Sequence, residues 1–316
     1  MTLLVIGSDR AANFHAMARS FAPERDVRLW PEAGAAEDIR YALAWQTPPG
    51  VLTSFPNLEL IVSVGAGVDH LFRDPQLPAQ VPISRYVDPD LTGRMAEYVT
   101  LQTLLHTRRM LAYQALQREA TWRYLPEPAA HQVRVGIMGL GVLGSAAARV
   151  LGVLGYQVRG WSRSPKAVEG VTCYSGEAGL DPFLADTDIL AVLLPLTPDT
   201  RGIVNRDLLR RLSRQGRHER LPGPVLINAG RGGLQVEADI LAALDAGELH
   251  AASLDVFEVE PLPGDSPLWQ HPRVVITPHN AAESTSESIV RYCLRQIERV
   301  EQGLPAENIV DRTTGY

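Results

Sequence analysis

The chain has 316 residues, 45% of them hydrophobic and 21% charged, with a formal net charge of −6. Length on this scale predicts two domains, and the composition supports a sizeable core and excludes a chain disordered throughout. The acidic balance argues against nucleic acid or an anionic membrane as the main partner, and the two cysteines lack metal-ligand spacing and reflect either a reducing compartment or simply two ordinary thiols.

The first apolar run, Leu3 to Ile6, has no basic region before it and reads as a strand rather than a signal peptide. No apolar run is long enough to span a bilayer, so the expectation is a soluble, cytoplasmic protein. A helix is predicted over Asn13 to Phe21, a strand over Val27 to Trp30, and a helical stretch ending near Arg40. Strands follow at Tyr41 to Trp45, Leu60 to Val64 and Val81 to Ser84. Strands alternating with helices imply a parallel sheet with helical crossovers. Val64-Gly65-Ala66-Gly67-Val68-Asp69 falls just past a strand's carboxyl end, where open α/β sheets place ligands. Its glycines either expose backbone N–H groups to a small anion or form a plain turn. A long helix is expected from Met95 to Tyr113. The polar, aromatic stretch Gln117 to Pro128 is either an arm against a second subunit or a linker.

Val135-Gly136-Ile137-Met138 then leads into Gly139-Leu140-Gly141-Val142-Leu143-Gly144 and a helical segment from Ser145 to Leu151. Strand, tight turn and helix form the context a dinucleotide fingerprint requires. The first glycine permits the turn, the second admits a pyrophosphate to the backbone, and the third lets helix pack on strand. The next strand, Gln157 to Trp161, ends in Ser162-Arg163-Ser164 rather than the acidic residue that would bind the ribose 2′-hydroxyl of NAD. A guanidinium between two hydroxyls suits a phosphate, which favours NADP over NAD.

Buried strands follow at Ile189 to Leu194, Val225 to Asn228, Ala251 to Phe257 and Val274 to Thr277, with helices at Glu237 to Ala246 and Ser284 to Gln302. Three polar candidates trail three of these strands: Arg231, Glu260 and His279. A guanidinium can hold a carboxylate and a carbonyl oxygen with its fork. Histidine is suited to giving a proton near neutrality, and a carboxylate bonded to it stabilises the imidazolium. Glu258 rivals Glu260 for that role. His271 reads as a loop residue.

The series VGAGVDH, GIMGLGVLG, LLPLTPDTRGIVN, INAGRGGLQVE, SLDVFEVEPLP and TPHNAA resembles the D-isomer-specific 2-hydroxyacid dehydrogenase family, in order and over nearly the whole chain. The resemblance implies an α/β chain of two Rossmann-like, doubly wound parallel-sheet domains with the active site in the cleft between them. A substrate domain over residues 1–98 is completed by 285–316, and 99–284 binds the cofactor. WSRS, DSPLWQHPRV and VDRTTGY are most similar to a branch that reduces glyoxylate and hydroxypyruvate with NADPH, as a homodimer. The family's carboxylate directly precedes a proline, which favours Glu260, before Pro261, over Glu258. Arg231, Glu260 and His279 are then catalytic. Gly65, Ala66 and Gly67 meet the substrate carboxylate. Trp45 is expected either to wall the pocket or to pack in the core, and Trp122 either to reach the partner's cleft or to pack in its own arm. Asp255 meets the nicotinamide carboxamide, and Leu194, Pro195, Thr200, Ala229 and Gly230 join the cofactor contacts. No metal is expected. Leu212 to Pro224 is longer and more basic than the family's usual turn and reads as a surface insertion. Rival functions are a dehydrogenase of longer 2-hydroxy acids and a non-catalytic, NAD(P)-sensing corepressor on the same fold.

Overall fold

The structure is a computed structural model that describes residues 1–7, 10–213 and 216–316. It divides into two compact units, Met1–Leu91 with Ser284–Tyr316, and Thr92–Glu283.

The first unit is built on β1 (Thr2–Ile6), β2 (Val27–Leu29), β3 (Ile39–Ala44), β4 (Leu60–Ser63) and β5 (Ile83–Arg85), with α1 (Ala11–Phe21) and the short α2 (Asp69–Phe72). The order β2-β1-β3-β4-β5 is parallel throughout, with its topological switch at β1 and β3. β1 and β4 are buried along their whole length, as expected of strands covered on both faces. The helix expected to end near Arg40 is instead a single 3-10 turn at Ala36–Asp38, because β3 already begins at Ile39 and buries every residue but Arg40.

The unit boundary falls within α3 (Pro89–Thr107), as does residue 98. α3 begins earlier than Met95, with Pro89 at its first position, where the missing N–H is no loss. It also stops short of Tyr113. Thr107 Oγ1 bonds back to the Thr103 and Leu104 carbonyls, and Arg109 turns left-handed at φ 52° before α4 (Met110–Arg118) starts.

The second unit is a seven-stranded parallel sheet. Its strands are β6 (Arg134–Met138), β7 (Gln157–Ser162), β8 (Thr172–Ser175), β9 (Ile189–Val192), β10 (Val225–Asn228), β11 (Ala251–Leu254) and β12 (Val274–Ile276), in the order β12-β11-β10-β9-β6-β7-β8. Between them run α5 (Val142–Val153), α6 (Leu180–Ala185), α7 (Arg206–Arg210) and α8 (Glu237–Asp245). This is the doubly wound dinucleotide-binding order with one strand added, and β6 stands at the switch. Ile137, Ala148 and Ile189 lie in the core on one face of the sheet, Phe183, Leu226 and Leu244 on the other. Within the expected insertion at 212–224, Arg214 and Gln215 lie outside the described residues.

The last helix, α9 (Ser286–Glu301), returns to the first unit. Its Tyr292 hydroxyl donates to the Arg85 carbonyl at 2.8 Å, and the ring meets Tyr86 edge-on. Among the described residues no helix is long and apolar enough to cross a membrane.

Candidate active site

The fingerprint turn shows why each glycine stands where it does. Gly139 has φ 116°, and a Cβ there would lie 2.7 Å from the Leu193 carbonyl oxygen. A Cβ on Gly144 would lie 2.0 Å from the Gly139 carbonyl oxygen, so α5 packs on β6 only through a glycine. At Gly141 nothing lies within 4 Å of that position. Gly141 also caps α5 without a side chain, leaving the helix's first N–H groups for a ligand. An open middle glycine between two crowded ones at a helix start is the cradle a pyrophosphate needs, so the residues fit a dinucleotide. Leu140 is buried, Leu143 half-buried, and Val142 lies exposed on the first turn of α5.

At the end of β7, Ser162 is buried and donates to the Ser164 carbonyl at 2.8 Å, which shapes the turn carrying the exposed Arg163. Lys166 reaches back to donate to the Leu140 carbonyl at 2.8 Å, tying this basic turn to the glycine turn. The loop after β9 is knitted by Thr200, whose hydroxyl donates to the Pro195 carbonyl at 2.7 Å and accepts the Thr197 N–H at 2.8 Å. Leu194 lies beneath it, buried.

After β10, Asn228 directs the chain. Its Oδ1 accepts the Gly230 N–H at 3.0 Å, and its Nδ2 donates to the Arg231 carbonyl and to Gln235. Gln235 in turn donates to the Val256 carbonyl at 2.9 Å. Ala229 is buried at the strand end. A Cβ on Gly232 would lie 1.7 Å from the Phe257 carbonyl oxygen, so this loop and the one after β11 approach as closely as backbones can. Half-buried Arg231 donates from Nη1 to the Gly230 carbonyl at 2.8 Å.

That close approach sets Glu260 beside Arg231. Glu260 Oε1 accepts the Phe257 N–H at 3.0 Å, and Oε2 accepts from His279 Nδ1 at 2.7 Å. Burial alone would raise the Glu260 pKa. The His279 and Phe257 hydrogen bonds and the charges of His279 and Arg231 outweigh it and hold the carboxyl below its ordinary value. Glu258 is committed elsewhere: its carboxylate accepts the Glu237 N–H at 2.8 Å, while Glu237 accepts the Glu258 N–H at 2.7 Å. With Nδ1–H bound to a carboxylate, His279 offers Nε2 outward, and its side chain is 43% exposed.

His279 has a left-handed backbone, φ 54°, a conformation that costs a non-glycine residue about 1–3 kcal/mol. Its N–H donates to the Asp255 carbonyl at 2.8 Å and to the Thr277 carbonyl at 3.1 Å. The Asp255 side chain, 1% exposed, accepts from Thr277 Oγ1 at 2.6 Å and from the Asn280 and Ala281 N–H groups at 3.0 Å each. Asp255 therefore binds the turn that carries His279.

In the first unit, Trp45 follows β3 and Gly65–Gly67 follow β4, both just past carboxyl ends of strands. The Trp45 ring lies on Gly65, where a Cβ would meet it at 2.7 Å. His70 Nδ1 accepts the Gln46 N–H at 3.1 Å, so its proton sits on Nε2, 3.1 Å from Ser63 Oγ. Ser63 passes the sequence on by donating to the Gly65 carbonyl at 3.1 Å. Among the described residues no acceptor within the chain meets the Gly65, Ala66 or Gly67 N–H groups.

Asn228, Gln235, Ser63, His70, Tyr98 and Thr277 were not singled out from the sequence. A polar residue ending or flanking an apolar strand run is the signal that marks Asn228, Ser63 and Thr277.

A fingerprint at the switch strand of a parallel sheet, with Arg231, Glu260 and His279 in the loops after neighbouring strands, is an arrangement that suits a nucleotide-dependent oxidoreductase. The model of the D-isomer specific 2-hydroxyacid dehydrogenase NAD binding domain matches residues 100–281, and this chain belongs to that family. It is 42% identical over 303 residues, 94% of either chain, to glyoxylate/hydroxypyruvate reductase A of Escherichia fergusonii. Among solved structures, it is similar to an NADPH-dependent glyoxylate/hydroxypyruvate reductase from Sinorhizobium meliloti in complex with NADP and sulfate: 46% identity, all of both chains, TM-score 0.91. It also resembles a D-isomer specific 2-hydroxyacid dehydrogenase from Xanthobacter autotrophicus Py2 in complex with NADPH and MES: 40% identity, 100% of this chain and 99% of that one, TM-score 0.92.

Proposed function

We infer that this protein is an NADPH-dependent reductase of small 2-keto acids, taking glyoxylate to glycolate and hydroxypyruvate to D-glycerate. The observation that carries the reading is the 2.7 Å pair of His279 and Glu260, on a strand end of the same sheet as the glycine turn and Arg231. The names of the similar proteins support the substrate class.

Bound NADPH supplies a hydride to the keto carbon. Its pyrophosphate would be held by the N–H groups at Gly139–Gly144, and Arg163 and Ser164 would take the 2′-phosphate on the turn that Ser162 shapes. Leu194, Pro195, Thr200, Ala229 and Gly230, in the loops after β9 and β10, would complete its contacts. Asp255 would accept from the nicotinamide carboxamide; a carboxylate has about four lone-pair sites, and three are taken within the chain.

Arg231 holds the substrate carboxylate and keto oxygen and so turns the carbon toward the hydride. Within the first unit, the Gly65–Gly67 N–H groups suit a carboxylate, and the Trp45 ring beside them limits the room for a longer side chain. His279 Nε2 would give its proton to the keto oxygen, which leaves that oxygen a hydroxyl and the ring neutral. Glu260 stays ionised and stabilises the charged ring before transfer. Water returns the proton.

The working form is a cytoplasmic homodimer on this reading. α3, α4 and the segment after them expose Leu101, Met110, Tyr124 and Trp122, the last fully, an apolar surface suited to a second copy. Both cysteines are free, in keeping with a reducing compartment.

Loss of NADPH absorbance after addition of glyoxylate, hydroxypyruvate, pyruvate or phenylpyruvate tests the proposal. The first two should turn over with the highest kcat/KM. NADPH binding without turnover of any keto acid would replace the enzyme with a sensor.

A further inference from the structure

His279 keeps a strained backbone, and such a conformation persists only where its surroundings over-determine it. Two shells of contacts do so. In the inner one, the Asp255 and Thr277 carbonyls receive the His279 N–H, while the Asp255 carboxylate receives those of the two residues that follow. The outer one reaches a different element. Thr277 Oγ1 gives its proton to Asp255 at 2.6 Å, so toward the Tyr98 hydroxyl, 2.8 Å away, it acts as acceptor. The direction is thereby fixed: Tyr98 donates to Thr277, Thr277 to Asp255, and Asp255 grips the turn.

The origin of this chain is itself anchored. Tyr98, Gln102 and His106 are spaced four apart and so lie on one stripe of α3. Ser253 on β11 donates to Gln102 Oε1 at 2.8 Å, and His106 Nε2 lies 2.8 Å from the same Ser253 oxygen. α3 is thus pinned to the sheet by polar contacts at three successive turns. The Tyr98 side chain is buried, and burial together with the Asp255 charge outweighs its bond with Thr277 and raises its pKa, so it keeps its proton. A phenylalanine would fill the same space without a hydroxyl to desolvate, so the hydroxyl marks a task other than packing.

We propose that Tyr98 and Thr277 are positioning residues for the proton donor, holding His279 through Asp255 without touching substrate. The proposal rests on the reading of His279 as the group that protonates the keto oxygen.

The test compares the full-length wild type with Tyr98→Phe, Thr277→Val, Thr277→Ser and His279→Ala. Each is assayed for glyoxylate reduction, NADPH affinity by fluorescence, thermal midpoint and the solvent deuterium isotope effect on kcat. Tyr98→Phe and Thr277→Val should lose about tenfold in kcat, the scale expected when a buried hydrogen bond no longer fixes a catalytic group. KM for glyoxylate and Kd for NADPH should change less than about twofold. The solvent isotope effect should rise, because a displaced donor makes proton transfer slower relative to other steps. Thr277→Ser, which keeps the hydroxyl, should recover most of the rate. A lower thermal midpoint with unchanged kcat and isotope effect would reduce Tyr98 to a packing residue and overturn the proposal. An inactive His279→Ala beside a fully active Tyr98→Phe overturns the positioning role alone. A fully active His279→Ala overturns the proton-donor reading and the positioning role together.

Discussion

The two oxygens of Glu260 are divided between the Phe257 N–H at 3.0 Å and Nδ1 of His279 at 2.7 Å. The carboxylate is thereby fixed by its own loop before it orients the ring. Glu260→Gln keeps the shape and removes the charge, so the imidazolium loses its counter-ion. The expected result is a fall in kcat of about 10- to 100-fold, with NADPH affinity retained, measured by steady-state kinetics and fluorescence titration. The pH dependence follows from the depressed carboxyl pKa. Burial works against ionisation, and the His279 and Phe257 bonds with the His279 and Arg231 charges overcome it. A carboxyl depressed on folding contributes stability above its unfolded pKa and loses it as pH falls through the lower folded value. The difference in thermal midpoint between wild type and Glu260→Gln should therefore persist at neutral pH and close below the ordinary carboxylate range.

The fingerprint glycines should fail in different ways. At Gly144 an added methyl would sit 2.0 Å from a backbone oxygen, so Gly144→Ala should lower the thermal midpoint and impair folding. At Gly141 nothing within the chain opposes a methyl, so Gly141→Ala should fold with a near-wild-type midpoint yet weaken NADPH binding by about tenfold or more. Melting curves and NADPH titrations of the two proteins check this. Equal binding by Gly141→Ala and wild type would remove the pyrophosphate from that turn.

Arg163 stands on a turn shaped by Ser162 and tied to the glycine turn through Lys166. Arg163→Ala should raise KM for NADPH by about tenfold or more and leave KM for NADH nearly unchanged, since only the former carries a 2′-phosphate. Parallel changes for both cofactors in the same assay would sink the assignment.

His106 gives a pH effect on stability far from the chemistry. Burial, then the nearby charge of His250, pushes its pKa down to about 4. His250 is itself pushed down to about 4, by burial and by the charges of Arg273, Arg109 and Arg217. A histidine depressed on folding contributes stability above its unfolded pKa, near 6.5, which is lost as pH falls toward the folded value. For His106 the loss is on the order of 3 kcal/mol between pH 6.5 and 4. His106→Gln keeps a donor for Ser253 without titrating, so its denaturant midpoint should fall less steeply over that range. Identical slopes for the two proteins would contradict the buried neutral ring.

The sheet strands were legible where they are covered on both faces, because burial makes them continuous apolar runs: Ile189 to Val192 and Val225 to Asn228 are buried at every residue. β8, the edge strand Thr172–Ser175, is only partly covered, and its sequence TCYS carries no such run. The helices α2, α6 and α7, each under two turns long, are too short to show a period. Arg231, Glu260 and His279 stood out as candidates because each trails a strand, where ligands of such sheets bind. Their supports did not. Tyr98 and Thr277 are 179 positions apart, and only the packing of α3 on the sheet joins them. The break at Arg109 was hidden because the apolar pattern continues across it.

The compact units also partition the candidate residues. Arg231, Glu260, His279 and the glycine turn all belong to Thr92–Glu283, while Trp45 and Gly65–Gly67 belong to the other unit. Under the proposed function, one gene segment encodes the whole hydride and proton machinery, and the other encodes the taste for a particular acid. Mutation in the loops after β3 and β4 can therefore explore new substrates without disturbing the bonds among Phe257, Glu260 and His279. Such separability lets a family diversify in diet while its reaction stays constant.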